Sequence, residues 1–234
     1  MVNPTLYREG TDGQEKEQQI REALIKAMVE HQLLPGSKLP EEALAGAFGI
    51  SRTGIRKVLT RLATVQMVNM TPKKGAYVAN PSAEESAMIF KSRTLIELGN
   101  LPEVIRRLQD KDIAGLEDIL AQEHRASHDR DMAAAIRYSA LFHIRLHAVA
   151  GNTVLNDIIT NLTLRSSLVI AAWGSQWQQG CNESDHQQLL NALREKDLLA
   201  LSALMQQHFD NIVSRLNFNR KKTPTPDFRK LFSQ

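Results

Sequence analysis

The chain of 234 residues has one cysteine, Cys181, so no internal disulfide can form, and a lone thiol suits a reducing compartment. No apolar run approaches the length of a membrane span. The polar N-terminus, MVNPTLYREGTDGQEKEQQ, has no signal-peptide core, and the expected location is the cytoplasm. No internal repeat is present. Histidine never occurs in an H-E-x-x-H arrangement, and no nucleophile constellation stands out, which argues against an enzyme. Net charge is also scarce, at +3.

That small net charge is unevenly spread. Residues 1–80 carry 11 Lys+Arg against 8 Asp+Glu, residues 81–217 carry 13 against 17, and residues 218–234 carry 5 against 1. Within the first segment, residues 52–74 hold six basic side chains and no acidic one. A local basic surface on a near-neutral body is the footprint of a nucleic-acid-binding head. Hydrophobic residues make up 42% of the chain, enough to build cores, and its length fits two modest domains.

The spacing predicts a helix over residues 15–31 with Ile20, Leu24, Ala27 and Met28 inward, stopped by Leu34-Pro35-Gly36. A short helix follows from about Leu39, with Leu44 and Phe48 inward, and Gly49 ends it. Ser51 stands in an N-cap position ahead of a helix whose Ile55, Val58, Leu59 and Leu62 form an apolar stripe. Arg52, Thr53, Arg56 and Lys57 fall outside that stripe, near its start. A helix in the major groove reads base edges with its N-terminal residues, and arginine suits guanine. Next come a β-leaning run at 65–70, a turn with Lys73, Lys74 and Gly75, and a second strand at 76–79. Helix, turn, helix and hairpin describe a winged helix. Arg52 and Arg56, with Thr53 and Lys57 beside them, are the expected base-reading positions; Lys73 and Lys74, beside Gly75, are the expected phosphate contacts. A bare basic amphipathic helix would explain residues 51–62 alone, but not the hairpin behind them.

Asn80-Pro81-Ser82 reads as a linker, with Ser82 capping the next helix and Glu85 in capping-box position. From there to Asn217 no segment reads as a strand. Helices are expected at 83–109, 112–128, 131–150, 153–173, 182–195 and 197–217. The expected fold is mostly α: a disordered N-terminus at 1–14, a winged helix-turn-helix at 15–80, an all-helical bundle at 81–217 and a basic tail at 218–234. In the bundle, His143, His186 and His208 each lie three or four positions from apolar residues on their own helices, so all three point inward. One such histidine is ordinarily a hydrogen-bonded core residue. Three on separate helices suit a transition metal, because bundle cores are where facing helices build such sites. His147, one turn from His143, is left open between pocket and core; His124 and His128, among Glu123, Arg125, Asp129 and Arg130, read as a solvated helix end. Met88, Ile89, Leu95, Ile96 and Leu98 give the helix at 83–109 more apolar surface than one face needs, and a homodimer on a two-fold DNA site is expected.

The run Leu34-Pro35-Gly36-Ser37-Lys38-Leu39, then Leu44-Ala45, Gly49-Ile50-Ser51-Arg52-Thr53, Arg56, Leu59, Leu62 and Gly75-Ala76-Tyr77-Val78 resembles the GntR family of bacterial transcription regulators. Gly54 stands where that family usually has proline, Lys57 where it often has glutamate, Val65-Gln66-Met67 in place of Glu-Gly-Leu, and Glu42 where some members have arginine. The bundle resembles the FCD effector domain through Arg93 and Glu97, Phe142-His143, Gly151-Asn152, Asp185-His186 and His208, and its six helices look more like the vanillate-regulator branch. That resemblance implies double-stranded operator DNA and a small-molecule effector as partners. It also implies a divalent metal, zinc or nickel, on His143, His186 and His208, with Ser139 where the family's metal-binding aspartate would stand. Arg93, Ser139, His147 and Asn152 are the effector-binding positions it implies. For Arg93, an ordinary i,i+4 salt bridge with Glu97 is the equal alternative.

Overall fold

Local sequence signals set most of the element boundaries in the computed structural model, which describes residues 12–174 and 183–218. The chain begins with α1 (Asp12–Val29), followed by the two-residue strand β1 (Lys38–Leu39), α2 (Glu41–Phe48) and α3 (Arg52–Thr64). Strands β2 (Val68–Thr71) and β3 (Gly75–Val78) complete the head. Gly49 ends α2 at φ 62°, in the left-handed region that glycine enters without a Cβ clash. Ser51 caps α3, its Oγ accepting from Gly54 N–H at 3.2 Å. The proline usual at that position in the family resembled would have no N–H to give this cap. Gln66, standing where glycine is usual, carries φ 59° in the turn into β2.

The sheet order is β1-β3-β2, antiparallel throughout, with Asn69 opposite Tyr77 and Leu39 opposite Ala76. Two expectations need correction here. Helix α1 begins at Asp12, so residues 12–14 belong to it, because one helical register carries on through Gln14 toward Ile20. Leu39, expected at the start of the second helix, lies in β1 instead: two residues are too short to show periodicity, and their pairing with β3 is a tertiary contact. Residues 1–11, the basic tail beyond residue 218, and Cys181 lie outside the described residues.

After Ser82, whose Oγ accepts from Glu85 N–H at 3.1 Å, come α4 (Ala83–Arg107), α5 (Asp110–His128) and α6 (Met132–Ala148). Then follow α7 (Thr153–Trp173), α8 (Glu183–Arg194) and α9 (Leu198–Ser214), so that six of the helices among the described residues lie after Ser82. The Glu85 carboxylate accepts from Arg165 on α7. Asp131, Asn152 and Asp197 cap α6, α7 and α9 through their side chains.

Two large hydrophobic cores and a small cluster of Val29, Ile136 and Ala140 result among the described residues. One joins Ile20, Leu24 and Met28 of α1 to Ile55, Val58, Leu59 and Leu62 of α3 and Val68, Ala76 and Val78 of the hairpin. The other fills the bundle around Phe90, Leu101, Phe142, Leu146, Met205 and Phe209. Helix α7 bridges them. Its Leu168 is buried in the first core, its Asn161 Nδ2 donates to Val65 O at 2.8 Å, and Ser167 O lies 3.0 Å from His31 Nε2. Of the five apolar residues expected at a dimer face of α4, Ile89 is buried in the bundle and Leu98 packs partly against it. Met88 and Leu95 remain exposed, at 55% and 74%.

Candidate functional site

The apolar stripe of α3 turns inward completely: Ile55, Val58, Leu59 and Leu62 are each 0% exposed. Geometry then forces Arg52, Thr53, Arg56 and Lys57 to the outer face, where all four are exposed. Lys73, Lys74 and Gly75 sit exposed at the hairpin tip, with Lys73 at φ 64° and Gly75 at φ 95°. The helix start and the hairpin tip thus present five basic groups and one hydroxyl. Two of the five are engaged. Arg56 donates through Nε and Nη2 to the two carboxylate oxygens of Glu41, at 2.8 and 2.7 Å. Lys57 Nζ lies 3.7 Å from Glu17 of α1, which also faces Arg61 at 3.5 Å. The bond to Arg56 and its charge lower the Glu41 pKa, with Arg52 adding to the effect.

In the bundle, α6, α8 and α9 bring His143, His186 and His208 together. Their ring centroids form a near-equilateral triangle with sides of 4.9, 5.0 and 5.3 Å, and every ring is buried. The ring of His186 stacks on Phe142 at 4.7 Å. Each histidine has a carboxylate on its Nδ1: Glu97 at 2.8 Å from His143, Glu123 at 2.8 Å from His186, and Asp185 at 3.4 Å from His208. A carboxylate accepts the Nδ1 proton, fixes the tautomer and directs basicity to Nε2, the usual outer support of a metal-binding histidine. The Nε2 atoms of His143 and His208 lie 3.1 Å apart. Two nitrogens at ~2.0–2.1 Å from one ion lie ~2.8–3.4 Å apart, so this separation fits a shared cation. With both Nδ1 protons committed to carboxylates, two lone pairs would otherwise face each other across that gap; an added proton or a cation resolves the conflict.

Glu97 is the centre of this network. Completely buried, it accepts from His143 and His147 on Oε2 and from Arg93 Nε on Oε1 at 2.5 Å. Burial opposes its ionisation, but Arg93, His143 and His147 outweigh burial and hold its carboxyl well below the usual range. Burial pushes the His143 imidazole well down, with Arg93 and His208 adding and Glu97 opposing, so this ring is neutral, the form a metal needs. Arg93 also donates from Nη1 to Ser166 Oγ at 2.8 Å and lies 4.9 Å over the Phe209 ring. Its Nη2 is buried with no hydrogen-bond partner among the described residues. Three carboxylates against one guanidinium leave two formal negative charges in excess around the histidines. Asp185 is partly exposed, so one of these two charges lies in the buried interior, where it calls for compensation by protonated imidazole or by a cation.

The other expected positions are less central. Both ring nitrogens of His147 are occupied, Nε2 on Glu97 and Nδ1 3.2 Å from Asn100 Nδ2, which gives it a core role; Glu97, His143 and His147 could also gather an ion, but they already satisfy one another. Ser139 is half-buried, one turn before His143. Asn152 is exposed and caps α7, its Oδ1 accepting from Leu155 N–H, so it is a helix-start residue with no bond to the cluster. The salt bridge between Arg93 and Glu97 does form, buried rather than on the surface. Glu123 overturns the solvated reading of its segment: at 3% exposure it faces inward, in register with Leu116 and Leu120, and that periodicity was the available signal. His124 is half-buried and its Nε2 is enclosed, whereas His128 is exposed as expected.

An exposed basic helix with a lysine-tipped hairpin, joined to a helical domain with a buried histidine cluster, defines a winged-helix transcription regulator with a helical C-terminal domain. Residues 16–78 match the family of bacterial regulatory proteins named gntR, and residues 88–211 match the FCD domain. The chain belongs to the GntR family of DNA-binding transcription regulators, in the group that carries an FCD domain. The Nta operon transcriptional regulator of Aminobacter aminovorans is 25% identical over 189 residues, covering 79% of this chain and 89% of that protein. Among solved structures, Escherichia coli McbR/YncC has a TM-score of 0.75 at 21% identity, covering 85% of this chain and 95% of its own. A GntR regulator from Rhodococcus sp. RHA1 also has a TM-score of 0.75, at 16% identity, with coverages of 86% and 98%. The relatives are transcription regulators, and no helix among the described residues is long and apolar enough to cross a membrane.

Proposed function

We propose that this regulator acts in the cytoplasm as a homodimer whose affinity for operator DNA is set by a small acidic metabolite, bound together with a divalent transition metal. Zinc or nickel is the ion of choice for three neutral imidazoles. His143, His186 and His208 would hold it, and an ion with open positions would offer the metabolite's carboxylate a place to bind. The observation that carries this reading is the set of three carboxylates, Glu97, Glu123 and Asp185, each placed on the Nδ1 side of one histidine. Arg93, whose Nη2 has no partner among the described residues, would take the other end of the metabolite through its planar fork. Ser139, in the place of the family's aspartate, removes one anionic ligand, so metal and effector should bind cooperatively and Ser139→Asp should tighten the metal.

On the DNA side, Arg52 and Arg56 read bases with Thr53 and Lys57 beside them, while Lys73 and Lys74 touch phosphate near Gly75. Exposed Met88 and Leu95 on α4 support a two-fold pairing of bundles. Helix α7 supplies a physical route between sites. Ser166 holds Arg93, and the next two residues hold His31 and the head core. A second reading has one favourable observation: the 3.1 Å contact between His143 and His208 also suits a metal-free hydrogen-bonded core. Metal content and calorimetric zinc affinity of wild type and His186→Ala, with operator affinity measured at each metal level, decide between them. Stoichiometric metal lost in His186→Ala, with operator affinity that changes on loading, is the expected result. A wild type that takes up no metal with or without carboxylate metabolites leaves the histidines as core residues.

A further inference from the structure

Arg56 is held in a way that bears on how it meets DNA. Glu41, the first residue of α2, accepts from Nε and Nη2 of Arg56 with both oxygens, at 2.8 and 2.7 Å, across 15 residues of sequence. The Glu41 side chain is 15% exposed and anchored at the helix start, whereas Arg56 is 61% exposed. A guanidinium has five N–H donors in one plane. The side-on pairing consumes one from Nε and one from Nη2, and leaves the outer edge, formed by Nη1 and the second Nη2 hydrogen, turned away from the carboxylate. That outer edge is the pair of parallel donors that matches O6 and N7 of guanine. An unsupported arginine at this exposure samples many rotamers and meets phosphate as readily as base, and fixing the fork removes that entropy before binding. A carboxylate this close to the DNA face also repels phosphate, so the same contact weakens sequence-independent binding.

We propose that Glu41 is a specificity-determining positioning residue: its carboxylate braces the Arg56 fork for a guanine and discourages Arg56 from serving as a phosphate contact. The inference rests on the reading of Arg56 as a base contact, and the experiment separates the two. Full-length wild type is used to select binding duplexes from a randomised pool, and the selection is repeated with Glu41→Gln, Glu41→Asp, Arg56→Ala and Arg52→Ala. Anisotropy then gives affinities for the wild-type-selected duplex and for a scrambled duplex of equal length, and thermal unfolding checks each fold. Glu41→Gln is expected to lose a guanine preference at the same position as Arg56→Ala and to bind the selected duplex roughly 5- to 150-fold more weakly. Its affinity for the scrambled duplex should stay level or rise, because one negative charge has gone. Glu41→Asp should retain part of the preference, and Arg52→Ala should alter a different position. A merely structural Glu41 would lower both affinities together, and that outcome overturns the proposal. If Arg56→Ala loses the guanine and Glu41→Gln keeps it, the brace is refuted while the base contact stands; if Arg56→Ala keeps it, both fall.

Discussion

Replacing Glu123 by glutamine tests the histidine cluster at a residue that touches the ring of His186 without being a ligand itself. Glu123 is 3% exposed and receives the His186 Nδ1 proton at 2.8 Å. Glutamine keeps the volume and an acceptor oxygen but loses the charge, and charge-assisted hydrogen bonds are about twice as strong as neutral ones. Loss of an outer-shell partner of a metal-binding histidine costs about 10–100-fold in affinity. With the acceptor retained, the lower end applies: about tenfold, or about 1.4 kcal/mol. Glu123→Ala leaves the Nδ1 donor buried without its carboxylate and should also lower stability by about 1–3 kcal/mol. The assay is competition for zinc between metal-stripped protein and a chromophoric chelator, with circular dichroism to confirm folding and His186→Ala as the comparison. If wild type binds zinc, His186→Ala abolishes binding and Glu123→Gln matches wild type, the carboxylate does not support the ring and the argument from paired carboxylates fails.

Arg52→Ala should cost about 1–3 kcal/mol on the selected duplex and little on scrambled DNA. Lys73→Ala should weaken both and reduce the slope of log affinity against log salt by about 0.9; equal losses on both duplexes for Arg52→Ala would remove it from base reading. Leu95→Glu places a charge on the exposed stripe of α4 and should yield a monomer by sedimentation, with loss of tight binding to a two-half-site duplex; an unchanged dimer moves the interface elsewhere. Metal-stripped protein should lose thermal stability on acidification. The depressed His143 pKa means the unfolded chain binds a proton that the folded one refuses, so this stability is complete above about pH 6.5 and falls below it. The depressed Glu97 pKa stabilises above about pH 4.3 and is lost as pH falls further, in the same direction. A melting midpoint that does not move between about pH 7.5 and pH 5.5 contradicts the buried neutral imidazole.

Much of this protein was written in local signals. The stripe of Ile55, Val58, Leu59 and Leu62 fixes which face of α3 is exposed, and with it the positions of Arg52, Thr53, Arg56 and Lys57, because helical periodicity alone decides that. Gly49, Ser51, Ser82 and Asn152 set helix ends through contacts within three or four residues, and the six helices of the bundle fall close to their expected ranges for the same reason. The inward turn of His143, His186 and His208 was legible helix by helix. What their nitrogens meet was not: the carboxylates of Glu97, Glu123 and Asp185 come from 46, 63 and 23 residues away, and the pairing exists only once α4, α5 and α8 pack against their partners. Glu41 beside Arg56, and Asn161 on the carbonyl of Val65, are likewise products of packing between distant elements. Sequence set which side of each helix is inside, because that depends on neighbours three or four residues away. Tertiary structure decided which charged groups share an interior, because low-dielectric burial forces them to find partners wherever the chain has brought them.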